Sequence, residues 1–280
     1  MGFFLVFMIG LGYVLSWYFG NYFILVIAVV VASIQALISY YYSDSISLMT
    51  AGAKEVPHQE PFLELHRLVE NLSITAGLPA PKVYVINDPS PNAFATGRDP
   101  KHASIAVTTG LLEMMSKNEL EGVIAHELSH VGNYDIRLMT IIVILVGTVA
   151  LISDFALRYM WFGGGRRDSN ESGQGQLIML VVAIALAILA PFAAMLIQLA
   201  ISRKREYLAD ASGALLTRYP DGLASALEKI SHYDKPIKHA NRATAHLYIS
   251  DPFKKKVSGL FSTHPPVEER IQKLHAMIGK

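Results

Sequence analysis

The chain of 280 residues is 52% hydrophobic and only 17% charged, whereas ordinary soluble domains carry about 25% charged residues, so part of it belongs in lipid. A net charge of +1 and a sequence pI near 7.9 exclude the dense basic face that a nucleic-acid partner needs. Cysteine is absent, which removes disulfides, thiolate metal sites and cysteine nucleophiles and leaves His, Asp and Glu to hold any metal.

No charged side chain occurs from Met1 to Ser43, a run about twice the ~20 residues that span a bilayer core. Gly20-Asn21 divides it into Gly2 to Phe19 and Tyr22 to Tyr42, flanked by Trp17, Tyr18, Tyr22 and Tyr40 to Tyr42 as interfacial aromatics. This predicts a membrane hairpin over residues 1–42. A signal peptide fits less well, because no Lys or Arg precedes the apolar stretch. Leu65, Leu68, Val69 and Leu72 then recur at helical spacing, predicting a helix from about Pro61 to the Gly77-Leu78-Pro79 stop. Lys82 to Ile86, Asn92 to Gly97 and Ala103 to Val107 are short β-type runs separated by turns, which predicts a small sheet.

A second helix begins near Asn118, where Asn118 and Glu121 have the capping-box arrangement. Leu138 to Ser153 is a third apolar stretch, extendable to Phe162 if Asp154 and Arg158 pair. Leu177 to Ile201 is a fourth, with Pro191 inside as a tolerated kink. The polar, glycine-rich loop 163–176 lies between them. Four spans place residues 43–137 and 202–280 on one side of the membrane, as two parts of a single soluble domain interrupted by a second hairpin over 138–201. Arg137, Arg203, Lys204 and Arg205 flank that side, against Arg166 and Arg167 opposite, which favours a cytoplasmic domain. Helices are expected around Lys204 to Leu216, Gly222 to Tyr233 and Pro266 to Ile278, while Lys235 to Ser262 shows no clear period.

His126-Glu127-Leu128-Ser129-His130 lies in the helix that starts near Asn118. Four residues make about 40° more than one turn, so both imidazoles leave the same face and can ligate one metal. Glu127 sits beside them, able to take a proton from a water at that metal. With 10 His and 13 Glu in the chain, chance supplies roughly 0.02 such motifs. A third ligand is available in Glu206, five residues beyond the fourth span, where two membrane-helix ends can bring it to the histidines; otherwise it is a solvated charge. Asp210, on the same helical face, reads as an acceptor for a ligand histidine N–H or as a surface charge. Asn92 either presents its amide to an extended peptide added to the sheet edge or is a turn residue. His264 is either an oxyanion donor or a helix-entry residue before Pro265-Pro266. The remaining histidines follow no ligand spacing.

The NAFATG segment, the block TTGLLEMMSKNELEGVIAHELSHVGNYD, SRKREYLAD and FSTHPPVEERI, with one apolar hairpin before the first and another between the second and third, resemble in order the HtpX-type membrane-bound zinc metalloproteases, related to the CAAX-prenyl endopeptidases. The resemblance covers most of the chain. It implies an α+β, predominantly helical, gluzincin-like zinc metallopeptidase domain with four transmembrane helices in two hairpins. One zinc ion per chain is implied, held by His126, His130 and Glu206, with Glu127 as the catalytic glutamate. It also implies a multi-pass plasma-membrane enzyme with its catalytic domain on the cytoplasmic side, cutting misfolded or damaged membrane proteins in quality control. A peptidase for lipidated C-terminal tails is the narrower alternative. A non-enzymatic membrane scaffold or metal transporter would line its spans with ionisable groups, and the first two spans hold only Gln35 and small hydroxyls as internal polar groups.

Overall fold

The computed structural model describes residues 20–139, 203–238, 244–253 and 264–278, with isolated positions before Gly20 and at 141–142. It divides into two compact units, Met1–Tyr42 with Ile141–Leu196, and Ser43–Thr140 with Ile197–Lys280. The second of the four expected spans falls on α1 (Phe23–Thr50), a continuous 28-residue helix, several of whose side chains lie outside the described residues. The first span lies mostly, the third almost wholly, and the fourth with loop 163–176 wholly outside them. Among the described residues no helix is long and apolar enough to cross a membrane.

Past the end of α1 the second unit continues with β1 (Ala53–Glu55), a strand too short to show alternation in the sequence. Helix α2 (Leu63–Ala76) buries Leu65, Leu68, Val69 and Leu72, the stripe that its spacing predicts, and stops at Gly77 in the left-handed conformation with φ 67°. Glycine meets that geometry without the steric cost of a Cβ. Strands β2 (Lys82–Ile86), β3 (Ala93–Gly97) and β4 (Ala103–Thr108) follow. The sheet order is β1-β2-β4-β3; β2 and β4 run parallel, and β1 and β3 are antiparallel edge strands. Every residue of β3 and β4 is buried, so these strands read as apolar runs rather than alternating ones.

Helix α3 (Thr109–Met114) is a short addition to the expected elements, capped by the Thr108 hydroxyl, which accepts from Leu111 N. Helix α4 (Lys117–Gly132) carries the histidine motif, and its capping box is Ser116 with Glu119, not Asn118 with Glu121. Glu119 returns to Ser116 N at 2.8 Å and is also paired by Lys229 at 2.8 Å, which fixes the start two residues earlier. Helices α5 (Arg203–Thr217), α6 (Pro220–His232) and α7 (Val267–His275) complete the unit.

The core gathers the inner faces of α2, α4, α6 and the sheet around Ile105, Leu111, Val123, Ile124, Leu128 and Leu227. α4 is the central helix, packed on α5, α6, α2 and β3. Its neighbours come unusually close. A Cβ on Gly122 would lie 2.6 Å from Leu223 N, and one on Gly213 would lie 3.0 Å from His126 N. α5 therefore crosses α4 with backbone against backbone beside the first histidine of the motif.

Candidate metal centre and the family of the chain

Three side chains from two helices converge. His126 and His130 leave α4 one turn apart, and Glu206 enters from the first turn of α5. All three are at least 96% buried, and one ligand atom from each lies within 4.8 Å of the others. The two Nε2 atoms are 3.2 Å apart, and Glu206 places Oε1 3.5 Å from His130 Nε2 and Oε2 3.8 Å from His126 Nε2.

The outer nitrogens decide which way the imidazoles are protonated. His130 Nδ1–H donates to Asp135 Oδ2 at 3.1 Å. His126 Nδ1 lies 3.0 Å from Asp210 Oδ1, at hydrogen-bond length but off-axis, so it has no well-aligned acceptor; the adjacent carboxylate charge still favours the proton on Nδ1. With both Nδ1 atoms protonated, both Nε2 atoms of the neutral imidazoles carry lone pairs. The two Nε2 atoms face each other at 3.2 Å; without a metal a proton on His130 Nε2 bridges them, and once that proton is lost both offer lone pairs to the same ion. Donor bonds of about 2.0–2.1 Å in tetrahedral geometry separate ligand atoms by about 3.3 Å, so the residues fit a zinc ion.

Charge placement has the same logic. Burial alone would keep His130 neutral, but its hydrogen bond to Asp135 and the charges of Glu206 and Glu127 outweigh that and raise its pKa to about 9. Burial holds the His126 pKa below its ordinary value, with Asp210 opposing. Burial also works against ionised Glu206, yet His264, His130 and Arg270 hold its carboxyl well below the usual carboxylate range. Glu127 differs: burial pushes its pKa up to about 7, Glu206 adds to the rise, and His130 and the Ala95 N–H oppose it. Its Oε1 is buried without a hydrogen-bond partner among the described residues. A carboxyl whose pKa lies near neutrality beside a cluster that could hold a metal ion is suited to move protons.

Asp210 is gripped by Arg270, whose Nε and Nη2 donate to Oδ2 and Oδ1 at 2.8 and 2.7 Å. His264 sets Nδ1 3.1 Å from Glu206 Oε2, which joins it to the third member of the cluster. Asn92 is wholly buried; its amide donates to Ser250 O at 3.0 Å and its Oδ1 accepts from Ala93 N. The side chain is thus committed inside the fold rather than presented to a peptide. Asp135, Arg205 and Arg270 are additions to the residues singled out in the sequence. Asp135 follows a left-handed Tyr134, φ 60°, which turns the chain back toward His130, and Arg205 Nη1 donates to its other oxygen at 2.7 Å.

The model for peptidase family M48 matches residues 59–278, a range that includes every residue of this cluster. The chain belongs to peptidase family M48. A protease HtpX homolog of Caldanaerobacter subterraneus subsp. tengcongensis is 52% identical over 270 residues, covering 95% of this chain and 89% of that one. One from Tropheryma whipplei strain Twist is 48% identical, with 96% and 90% covered. The crystal structure of S. mikatae Ste24p superposes with a TM-score of 0.54 at 21% identity; it covers 98% of this chain, which spans 62% of that one. This likeness extends the fold and nothing further. The M48 chain is a metalloprotease, a hydrolase with a mixed α/β, helix-rich fold.

A further histidine of this M48 chain links folding to pH. His246 is 4% exposed, bonds to Met139 O at 2.9 Å through Nε2, and is held by burial at a pKa of about 4, below its ordinary 6.5. The unfolded chain therefore binds this proton first as pH falls. This contribution to stability is complete above pH 6.5 and declines toward pH 4, by roughly 3–4 kcal/mol at most. Unfolding midpoints at pH 7 and 5 should differ less in His246→Gln than in wild type. An equal difference would assign the acid sensitivity elsewhere.

Proposed function

We propose that this M48 peptidase is a zinc-dependent endopeptidase of the cell membrane, with one zinc per chain held by His126, His130 and Glu206. The carrying observation is the convergence of two facing Nε2 atoms with a buried carboxylate, next to Glu127. A zinc ion bound there would polarise the scissile carbonyl and acidify a water. Glu127 then takes the proton from the attacking water and passes it to the leaving amine, so no covalent intermediate is needed. Asp135 and Asp210 keep the imidazole protons on Nδ1, leaving Nε2 to the metal. His264 lies beside Glu206 and is the candidate donor to the developing oxyanion.

Four spans in two hairpins, over residues 1–42 and 138–201, would carry catalytic segments 43–137 and 202–280 on the cytoplasmic side. Support for lipid contact comes from α1, which exposes Val26, Ile27, Val30, Ile34, Leu37 and Ile38 along a helix with no charge before Asp44. Apolar faces of that extent find a partner in folded proteins. The substrates we assign are misfolded or damaged membrane proteins.

The full chain purified in detergent should hold one zinc, lose cleavage to a chelator and regain it with added zinc. Reconstituted in vesicles, it should cut one loop sequence faster when that loop is tethered beside a membrane span than in a soluble carrier. Equal rates would remove the membrane-substrate assignment, and preferential cleavage of a prenylated C-terminal peptide would replace it with the lipidated-tail activity.

A further inference from the structure

Arg270 is 2% exposed, and burying a guanidinium costs several kcal/mol unless every donor is matched. Its matches join three parts of the unit. The Nε and Nη2 edge forks onto both oxygens of Asp210, and Asp210 lies against His126 Nδ1. Nη1 lies 3.7 Å from Glu206 Oε2 and donates to Ile249 O at 3.1 Å. Ile249 in turn donates its N–H to Ala93 O, on edge strand β3, at 2.9 Å, and its neighbour Tyr248 packs edge-on against Phe94 of that strand. Strand β3 also supplies the Ala95 N–H to Glu127. One side chain thus touches the orienting carboxylate of one candidate ligand, the charge of another, and a segment bonded to the strand that holds the candidate base.

We infer that Arg270 is a positioning residue for the metal centre, setting the Asp210 carboxylate against His126 and tying that arrangement to strand β3 through Ile249. The inference rests on the zinc site proposed above. A planar fork is required for this, because lysine offers a point charge that cannot face two carboxylate oxygens and a carbonyl in fixed directions at once. Purely as a core pin, Arg270 would matter to stability alone; as a positioning residue it also sets the geometry at the metal.

The test is Arg270→Lys in the full chain, with zinc affinity by chelator competition, the absorption spectrum of the cobalt(II)-loaded protein, and kcat and KM read separately. Zinc affinity should fall about 10–100-fold, as it does when the partners of metal ligands are lost. The cobalt bands should shift, and kcat should drop with KM nearly unchanged. Leu274→Ala, a buried position on the same helix, should lower the melting temperature and leave the cobalt bands in place. Wild-type affinity and bands in Arg270→Lys would overturn the inference, whatever its melting temperature. If that variant does not fold, Arg270→Gln, which leaves Asp210 in place and can still donate to one of its oxygens, is read in the same way: wild-type zinc affinity and cobalt bands overturn the inference, and weakened affinity with shifted bands upholds it. Wild type that binds no zinc, or binds it equally after His126→Ala, would bring down the site as well.

Discussion

Glu127→Gln is expected to retain zinc and lose cleavage by about 10²–10⁴-fold, the range a positioned general base contributes. The amide keeps the shape of the carboxyl and can still meet the Ala95 N–H, so folding should be unchanged. What disappears is the ability to accept a proton, and the surroundings of Glu127 are arranged for that single event. In the metal-free protein burial pushes its pKa up to about 7, above the range of an exposed glutamate. Metal content and single-turnover cleavage of one peptide by both proteins give the comparison. More than a tenth of wild-type activity in the Glu127→Gln variant would take Glu127 out of the proton path.

Glu206→Gln should have an equally large effect for a different reason. It removes the only anion among the three candidate ligands and should weaken zinc binding by more than about 100-fold, exceeding the loss expected when a ligand's hydrogen-bond partner is removed. Activity should fall in parallel and recover in part at high zinc concentration, which Glu127→Gln should not do. Without that carboxylate charge, Arg270 keeps Asp210 but His264 loses its buried acceptor charge, so the metal-free protein should also lose about 1–3 kcal/mol. Zinc titration followed by peptide cleavage, beside denaturant unfolding of the metal-free forms, separates the two losses. Full activity at wild-type zinc levels would place the third ligand elsewhere.

The parts of this site legible in the sequence are those set by local periodicity. His126 and His130 share a face because of the helical repeat, and the stripe on α2 and the stop at Gly77 follow from the same rule. Glu206 stands out because Asp210 lies one turn along on the same face and an uncharged stretch expected to span the membrane ends five residues before it. Asp135 and Arg270 do not, because their roles depend on contacts across the fold: Arg270 meets Asp210 from 60 residues away. A signal for Arg270 is nonetheless present. It falls on the inward stripe of α7 with Val267, Ile271 and Leu274, where a charge has no reason to be unless another buried charge awaits it. Asp135 follows the second histidine by five residues, just beyond the helix end, and only the left-handed Tyr134 turns it back. The start of α4 is ambiguous in the sequence because Asn118–Glu121 and Ser116–Glu119 both fit the capping pattern. The Lys229 contact to Glu119, 110 positions along the chain, selects one. β1 offers three residues and no alternation, so only its pairing with β2 reveals it.

The missing side chain at Gly213 gives the centre a fixed gauge. Where α5 meets the backbone of His126, no side-chain layer lies between the helix bearing two imidazoles and the helix bearing the carboxylate, so the two helices sit close to the shortest separation their main chains allow. A jaw whose two sides already touch leaves little room between its donors. It suits a small ion at about 2.0–2.1 Å from nitrogen and oxygen donors, and it disfavours calcium, which seeks about six to eight oxygens at roughly 2.3–2.6 Å. Selection among ions would then be written partly in the contact between two stretches of backbone, out of reach of most changes to the side chains around them.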